Sequence, residues 1–321
     1  MDRKYILTLF DNYKKLWIAF LLIIALFAAG ELIVGHFLSL SQILLTVKMS
    51  SFIALFALCQ MACMCVGGSG LDLSIGFTAT MTAVFTASIM DGQNDKLLFA
   101  IIVAIAIGAV VGSANGALVS YVKLPPLIVT LAMSSILQGI INAYTAGKNI
   151  TGRPSPVLQI IAAKSTGIFP NILFLLIVVL IAVMVIMNKT ACGRTMYGVG
   201  ANERAAYLSG INVKLVRFCA FGFSGIWASL IGLILLGNMG VAFKDMGSNY
   251  IMPSIAAAVV GGVSMNGGEG NYLGVILGSV VLQSLTNFLV ALGWGDAGKW
   301  LGFGIVLFAM LVFYAREKRN K

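Results

Sequence analysis

Long apolar stretches alternate with short polar connectors along almost the whole chain. A membrane-spanning helix needs about 20 predominantly apolar residues. About ten stretches approach or reach that length, and we predict that each forms a transmembrane helix. They cover Leu16–Val34, Ser50–Val66, Ile75–Met90, Leu97–Val122, Pro125–Tyr144, Asn171–Met187, Phe218–Leu236, Ile251–Val263, Asn271–Ala291 and Trp300–Tyr314.

The third and eighth stretches, Ile75–Met90 and Ile251–Val263, are shorter than a full span, and each adjoins a glycine-rich segment. Non-helical backbone is tolerated at membrane depth only where protein or a water-filled cavity surrounds it. We therefore expect these two helices to be broken or tilted, or to end inside the protein rather than in lipid.

The composition supports a membrane protein without a soluble domain. Hydrophobic residues make up 60% of the 321 residues, charged residues make up 10%, and the mean hydropathy is +0.99. A soluble fold of this composition would lack a polar surface. Spans of about 20 residues use roughly 200 residues in total. The sequence thus predicts an all-α polytopic membrane protein with a single transmembrane domain over residues 1–321 and no nucleotide-binding domain.

Basic residues are unevenly divided between the two predicted sides of the membrane. An even number of spans puts both termini on one side, and about two thirds of the 21 Lys and Arg residues then lie there. Lys214 and Arg217 belong to connectors on that side, and Lys48 belongs to the other. Because Lys and Arg are retained in the cytoplasm, we predict N-in and C-in. The same rule explains the net charge of +10 without a nucleic-acid partner.

Two spans carry small residues at helical spacing. Gly108, Gly112 and Gly116 form successive GxxxG units on the fourth span, and Gly274 with Gly278 forms another on the ninth. Such residues let helix backbones approach closely in a membrane. We expect close helix crossings at both places.

No catalytic or metal-binding constellation is convincing. Gly293–Lys299 resembles the start of a phosphate-binding loop, but Trp300 stands where Ser or Thr would hold magnesium and no strand precedes it. Three cysteines of the second span have no His or carboxylate nearby, which favours packing. The single histidine, His36, has no nucleophile motif beside it. We expect no enzymatic activity, no metal and no cofactor, and a protein that moves or anchors something.

The longest predicted inside connector, Asn188–Arg217, contains a short helix pattern. Asn202 suits an N-cap, Glu203 suits the first turn, and Gly210 suits a left-handed position after the helix. The pattern predicts a helix of about two turns over Asn202–Gly210. Because so short a helix is unstable alone in water, it docks either on its own bundle or on a partner.

Four sequence blocks follow one another in a characteristic order. They are GSGLDLSIG (68–76), LPPLIVTLAM (124–133), GRTMYGVGANERAAYLSGI (193–211) and GGVSMNGGEGNYLGVILG (261–278). In order and spacing they resemble the permease subunits of ribose-type sugar ABC importers, which include permeases for other monosaccharides and for the autoinducer-2 furanose. The resemblance runs nearly end to end and implies a fold like that of type II ABC importer permeases. Cys192, Val263 and Met265 depart from the family pattern.

The resemblance implies an assembly in the bacterial inner membrane. Similar permeases pair two membrane subunits, identical or homologous, with two cytoplasmic ABC ATPase subunits, and a periplasmic or extracellular binding protein delivers the sugar. The loop between the sixth and seventh spans, here about 188–217, supplies a coupling helix that contacts the ATPase. The matching residues are Arg194, Asn202, Glu203, Arg204, Ala205, Ala206, Leu208, Ser209 and Gly210. For Arg194, simple retention on the cytoplasmic side is the alternative.

Two glycine-rich inside segments, Gly67–Ser74 and Gly261–Gly270, carry acidic residues. An acid beside glycines caps a helix start or holds the backbone where helices cross, and a gate or an ATPase contact is the alternative. The residues in question are Gly70, Asp72, Gly267, Gly268 and Glu269.

Neutral amides inside spans are the candidates for a substrate path. Gln138 and Asn142 lie on one face of the fifth span, and Gln283 and Asn287 repeat the spacing on the ninth. Polar side chains within lipid-spanning helices usually face the interior. Amides suit an uncharged, hydroxyl-rich ligand, and hydrogen bonding between helices is the alternative role.

From these observations we expect a permease subunit that moves a neutral small sugar or furanose inward, driven by ATP hydrolysis on separate subunits. A branched-chain amino-acid ABC permease shares the architecture and is one alternative. An ion-coupled secondary carrier is another, although it is expected to bury a carboxylate or a lysine within a span, and the sequence shows almost none. A membrane scaffold without transport activity is the third.

Overall fold

The computed structural model describes residues 14–146, 152–295, 297–305 and 308. Its α-helices are α1 (Lys14–Ile33), α2 (Leu40–Cys65), α3 (Ile75–Met90), α4 (Leu97–Ser120), α5 (Pro126–Thr145), α6 (Pro156–Ala162), α7 (Ile172–Lys189), α8 (Ala191–Ala201), α9 (Glu203–Leu208), α10 (Val213–Met239), α11 (Ile251–Val260) and α12 (Tyr272–Ala291). Residues 297–305 are also helical. Between α6 and α7, strand β1 (Ser165–Thr166) pairs antiparallel with β2 (Phe169–Pro170).

Seven of the described helices are long and apolar enough to cross a membrane, namely α1, α2, α4, α5, α7, α10 and α12. The third and eighth predicted stretches form the shorter helices α3 and α11, of 16 and 10 residues, as their length indicated. The tenth stretch, Trp300–Tyr314, lies largely outside the described residues. The helices confirm an all-α polytopic membrane protein, while the count of ten spans and the N-in, C-in orientation stay predictions.

Two central helices begin well before their predicted starts. Ser39 caps α2 by accepting a hydrogen bond from the Gln42 backbone N–H, and the helix includes Lys48, which we had placed in a connector. Asn212 caps α10 in the same way, so Lys214 and Arg217 also lie in a helix. Polar residues interrupted the apolar runs without interrupting the helices, because caps and not hydropathy fix a helix start.

Short elements occupy connectors that the hydropathy pattern treated as featureless. Helix α6 is capped by the Ser155 hydroxyl and carries Pro156 in its first turn, where proline costs no hydrogen bond. Helix α8 forms despite three glycines, which disfavour helix in isolation. A Cβ on Gly193 or on Gly200 would overlap backbone carbonyl oxygens of α7 or α2. The glycines therefore allow α8 to pack against those helices.

Helices α2 and α10 form the centre of the bundle. In each, 61% of the most apolar 18-residue stretch is buried, against 11% in α1. Helix α10 packs on α2, α3 and α4, while α12 packs on α1, α2 and α11. The α4–α10 crossing uses the predicted glycines, since a Cβ on Gly108, Gly112 or Gly116 would meet the α10 backbone. Gly274 and Gly278 likewise lie against α11, which confirms both predicted crossings.

Candidate functional site

The predicted short helix of the longest connector is present as α9. The Asn202 side chain accepts a hydrogen bond from the Ala205 backbone N–H at 3.0 Å, as an N-cap does. The helix ends before Gly210, whose φ of 83° is the left-handed conformation that favours glycine. Ser209 donates its hydroxyl to the Ala205 carbonyl oxygen. The sequence therefore identified both ends of this helix correctly.

Helix α9 has one face on its own bundle and one face in solvent. Ala206 is buried with Val199 of α8 and Val213 of α10, so this residue of the predicted coupling set packs inward. Tyr207 and Leu208 are 70% and 76% exposed. The other predicted coupling residues, Arg194, Asn202, Glu203, Arg204, Ala205, Leu208, Ser209 and Gly210, are exposed. Tyr207 is not among the predicted coupling residues, although an aromatic residue in a polar connector is a signal of an exposed contact.

The acid of α9 is engaged within the chain. Glu203 forms an ion pair with Arg217 of α10, with 2.8 Å between Oε2 and Nη2. The same guanidinium donates from Nε to the Val66 carbonyl oxygen at 3.4 Å. Arg217 therefore joins α9 to the end of α2. Because the carboxylate is 58% exposed, the pair contributes little stability, and its main effect is to position α9.

Backbone segments from the two glycine-rich loops pack against each other and against Gly200 near the end of α8. The Gly268 backbone N–H donates to the Cys65 carbonyl oxygen at 3.1 Å. A Cβ on Gly267 would lie 2.5 Å from the Gly67 Cα, and one on Gly200 would overlap the Cys65 oxygen. We call this contact of Gly67, Gly200, Gly267 and Gly268 the glycine junction. It places both predicted glycine-rich segments directly against the helix that precedes α9.

Asp72 lies fully buried at the centre of a polar cluster. Its Oδ1 accepts from the Ser74 hydroxyl at 2.6 Å and the Ser74 N–H at 3.0 Å, and its Oδ2 accepts from the Ser224 hydroxyl of α10 at 2.7 Å. The Gln60 amide of α2 bonds both the N–H and the carbonyl of Asp72. Asn115 of α4 donates to Ser74. The segment between α2 and α3 is thereby hydrogen-bonded to α2, α4 and α10.

This cluster corrects one expectation and refines another. The sequence suggested that almost no acid is buried, yet Asp72 is completely enclosed, with donors at both carboxylate oxygens. These hydrogen bonds are those of a residue that holds the backbone where helices cross, and the alternative role as a gate or ATPase contact stays a prediction. Gly70 serves the same crossing, since a Cβ there would overlap the Cys63 carbonyl oxygen. Glu269 instead lies on the surface. Polar residues within apolar runs were the signal for Gln60, which the sequence analysis missed.

The two amide pairs have different surroundings. Gln138 and Asn142 are exposed on α5, which packs on α3 and α4. Gln283 donates to Asn287 at 2.9 Å, and Asn287 donates to the Thr46 hydroxyl of α2 at 2.8 Å. The α12 pair thus forms one hydrogen bond within its helix and one interhelical hydrogen bond to α2, the latter being its alternative role. The α5 pair is exposed to a ligand or a second subunit.

A cavity of about 1270 Å³ lies between α9, the start of α10 and the connector from α4 to α5. Lys123, Arg204, Lys214 and Arg217 line it together with Glu203, the only carboxylate among the described residues of its lining. The cavity wall therefore has a positive balance beside the exposed face of α9. Among the described residues, no group of three or more His, Cys, Asp or Glu side chains is placed to hold a metal ion.

Comparison with known proteins identifies the family. Residues 42–315 match the family model described as branched-chain amino acid transport system, permease component. The autoinducer 2 import system permease protein LsrC of Salmonella typhimurium (strain LT2) is 33% identical over 303 residues, which cover 93% of this chain and 85% of that protein. The ribose import permease protein RbsC of Haemophilus influenzae is 31% identical over 274 residues, 84% of each chain. No solved structure matches.

The chain therefore belongs to the family of ABC-importer permeases that includes these two proteins. It is a transport component rather than an enzyme, and a multi-pass protein of the bacterial inner membrane. In this family context, the exposed face of α9 and the exposed amides of α5 are the two surfaces whose partners have to be assigned.

Proposed function

We propose that the chain is the permease subunit through which a neutral small sugar, a ribose-type monosaccharide or related furanose, enters the cell. Cytoplasmic ABC ATPase subunits supply the energy, a second permease subunit completes the path, and a periplasmic or extracellular binding protein delivers the sugar. The observation that carries this proposal is α9, a capped helix that offers its outer face to a partner in a chain similar to known import permeases.

The outer face of α9 has the properties of a docking surface. A six-residue helix gains little stability by itself, and here its own bundle covers mainly Ala206. Tyr207 and Leu208 project as neighbouring apolar side chains next to Arg204. Aromatic and arginine side chains of this kind often dominate the energy of an interface. We assign residues of the loop at about 188–217, within a single transmembrane domain of residues 1–321, to contact with the ATPase.

The exposed amides of α5 support an uncharged substrate. Helix α5 contains no charged residue, and Gln138 and Asn142 lie on the surface not covered by α3 and α4. In lipid these amides would be costly, whereas a path between two subunits would hydrate them or pair them with sugar hydroxyls. Asp72 does not favour an ion-coupled carrier, because its enclosed carboxylate offers no access to an ion.

A branched-chain amino-acid permease is a second candidate, since the matching family model carries that description. A zwitterionic amino acid presents two charges that a path normally pairs or solvates, and α5 offers only neutral side chains. Transport of ribose-type sugars but not leucine by the reconstituted complex would support the sugar assignment. The reverse preference would replace it.

The docking assignment has a direct test. We expect Tyr207→Ala combined with Leu208→Ala to abolish co-purification with the partner ABC ATPase while the permease still inserts in the membrane. The matched control is Leu98→Ala, which truncates a similarly exposed side chain. Leu98 lies at the start of α4, whereas the end of α4 adjoins the cavity beside α9. Co-purification that survives deletion of residues 203–209 would remove α9 from the interface. Sugar accumulation against a gradient by the permease alone would refute dependence on an ATPase.

A further inference from the structure

The loop between α2 and α3, which we call the Gly67–Ser74 loop, contacts both the α8–α9 region and α5, the elements that carry the two surfaces described above. At its beginning it lies against the α8–α9 region. Gly67 is part of the glycine junction with Gly200 of α8, and Arg217 connects the Val66 carbonyl oxygen to Glu203 of α9. A displacement of α8 therefore pushes on the backbone of this loop, and a displacement of α9 reaches the start of the loop through Arg217.

At its other end the loop holds α5 through two hydroxyl groups. The Thr130 hydroxyl lies 3.2 Å from the Leu71 carbonyl oxygen and 2.9 Å from the Pro126 carbonyl oxygen of its own helix. The Ser134 hydroxyl lies 3.0 Å from the Leu73 carbonyl oxygen and 2.8 Å from the Thr130 carbonyl oxygen, so each hydroxyl is shared between the loop and α5. Both side chains are buried. They lie on α5 in the turns that precede Gln138. The helix that carries the exposed amides is thus attached to the loop that touches the α8–α9 region.

The middle of the loop is held in place by the hydrogen bonds of Asp72. Asp72 is held by Ser74 and Ser224 through its carboxylate and by Gln60 through its backbone. Both carboxylate oxygens and both backbone polar groups of Asp72 are hydrogen-bonded, and such a buried network restrains the segment that carries it. A rigid segment transmits a displacement from one end to the other, whereas a flexible one absorbs it.

We infer that the Gly67–Ser74 loop conveys movement of the α8–α9 region to α5, with Thr130 and Ser134 as positioning residues for transport. This inference rests on the proposed function, since it joins the ATPase-docking helix to the substrate path. It adds the residues through which the two are coupled. Spatial continuity alone does not establish coupling, so the test measures coupling itself.

The decisive variant is Thr130→Val combined with Ser134→Ala, which removes both hydroxyl donors to the loop. We expect ATPase docking and basal ATP hydrolysis to stay within about twofold of wild type, and sugar transport to fall about tenfold, a typical size for energetic coupling between sites. The single variant Thr130→Ser keeps the hydroxyl donor, and its sugar transport should be close to that of wild type. Ser135→Ala is the matched control, because that hydroxyl is exposed on α5 and bonds the Leu131 carbonyl oxygen within its own helix.

A purely structural role would not alter how α5 responds to nucleotide. We therefore propose spin labels at Ile136→Cys on α5 and Leu98→Cys on α4, two exposed positions, with Cys192→Ser and Cys219→Ser to remove the exposed native thiols. In the complete complex, a non-hydrolysable ATP analogue should shift the distance between the labels by about 1–2 Å or more, as helix displacements do. The Thr130→Val, Ser134→Ala variant should lose that shift.

The outcomes separate this inference from the proposed function. A nucleotide-dependent shift that persists in the double variant, or transport within twofold of wild type, overturns the inference, as does a transporting wild-type complex without any shift. If the double variant fails to fold, Arg217→Lys tests the other end of the loop, and it should also lower transport and reduce the shift. A wild-type complex that shows the shift but transports no sugar refutes the function while leaving the connection supported.

Discussion

Helices α5 and α12 carry the same Gln-x-x-x-Asn spacing, yet the structure uses the two pairs differently. On α12, Gln283 donates to Asn287 and Asn287 donates to Thr46, so the pair supplies one hydrogen bond that holds α12 to α2. On α5, Gln138 and Asn142 are exposed. The difference shows that an identical pattern within an apolar span indicates packing in one place and an open surface in another, depending on the neighbouring helices.

The largest expected effect is on a glycine of α12. A Cβ on Gly278 would overlap the Ala257 carbonyl oxygen of α11, so Gly278→Ala forces the two backbones apart. Overpacking of this kind costs about 1–3 kcal/mol and occasionally more. We expect a clear fall in the thermal unfolding temperature of the purified permease. An unchanged unfolding temperature would show that α12 is not closely packed there.

A smaller loss of stability is expected from Asn287→Leu. The substitution removes the hydrogen bonds that Asn287 makes with Gln283 and with Thr46, while Thr46 keeps its bond to the Gln42 carbonyl oxygen. A typical hydrogen bond contributes about 0.5–1.5 kcal/mol to stability. The unfolding temperature should fall, while transport per folded molecule should stay within about twofold. The matched control is Asn142→Leu on α5, which should leave stability nearly unchanged. A selective transport defect in Asn287→Leu would instead place α12 on the substrate path.

The complementary change is Gln138→Leu combined with Asn142→Leu. Each lost hydrogen bond to an uncharged ligand is worth about 0.5–1.5 kcal/mol, so transport should fall about tenfold while ATPase docking and stability are retained. Uptake of labelled sugar by proteoliposomes containing the complete complex measures the effect. Full uptake would reduce this pair to exposed residues without a role in the path.

The smallest expected effect comes from Gly139→Ala on the open face of α5. No atom of another described helix lies within 4 Å of a Cβ placed there, and alanine favours a helix over glycine by about 1 kcal/mol. The isolated permease subunit should therefore become slightly more stable. If α5 of a second subunit packs closely at this position, the same change should weaken permease dimers, which size-exclusion chromatography of crosslinked samples would detect.

The membrane-protein class, the bounds of α3 and the capped helix α9 were predictable from the sequence. Hydropathy is a local property, and so are the Asn202 cap and the Gly210 terminus. The early start of α10 was missed because polar residues in its first turns, among them Arg217, resemble a connector. Helix α8 was missed because its glycines disfavour a helix in isolation, and tertiary packing outweighed that preference.

The candidate site was less accessible to sequence analysis than the helices. The short helix α9 was predicted from its cap and terminus, and its role in coupling stays a prediction. Which of its residues faces solvent depended on Val199 and Val213, which bury Ala206. The cluster around Asp72 joins Gln60, Ser74, Asn115 and Ser224 from distant parts of the chain. A sequence pattern shows that such residues are polar within apolar runs, but not which of them meet.

The sequence by itself determined that this protein is an α-helical permease with a short capped helix outside the spans, because hydropathy, capping and the ordered family blocks are all properties of nearby residues. Only the tertiary structure decided that the α12 amides bind α2, that the α5 amides remain exposed, and that one anchored loop touches both α8 and α5. Those outcomes depend on which helices are neighbours, and neighbours are set by the packing of the whole bundle.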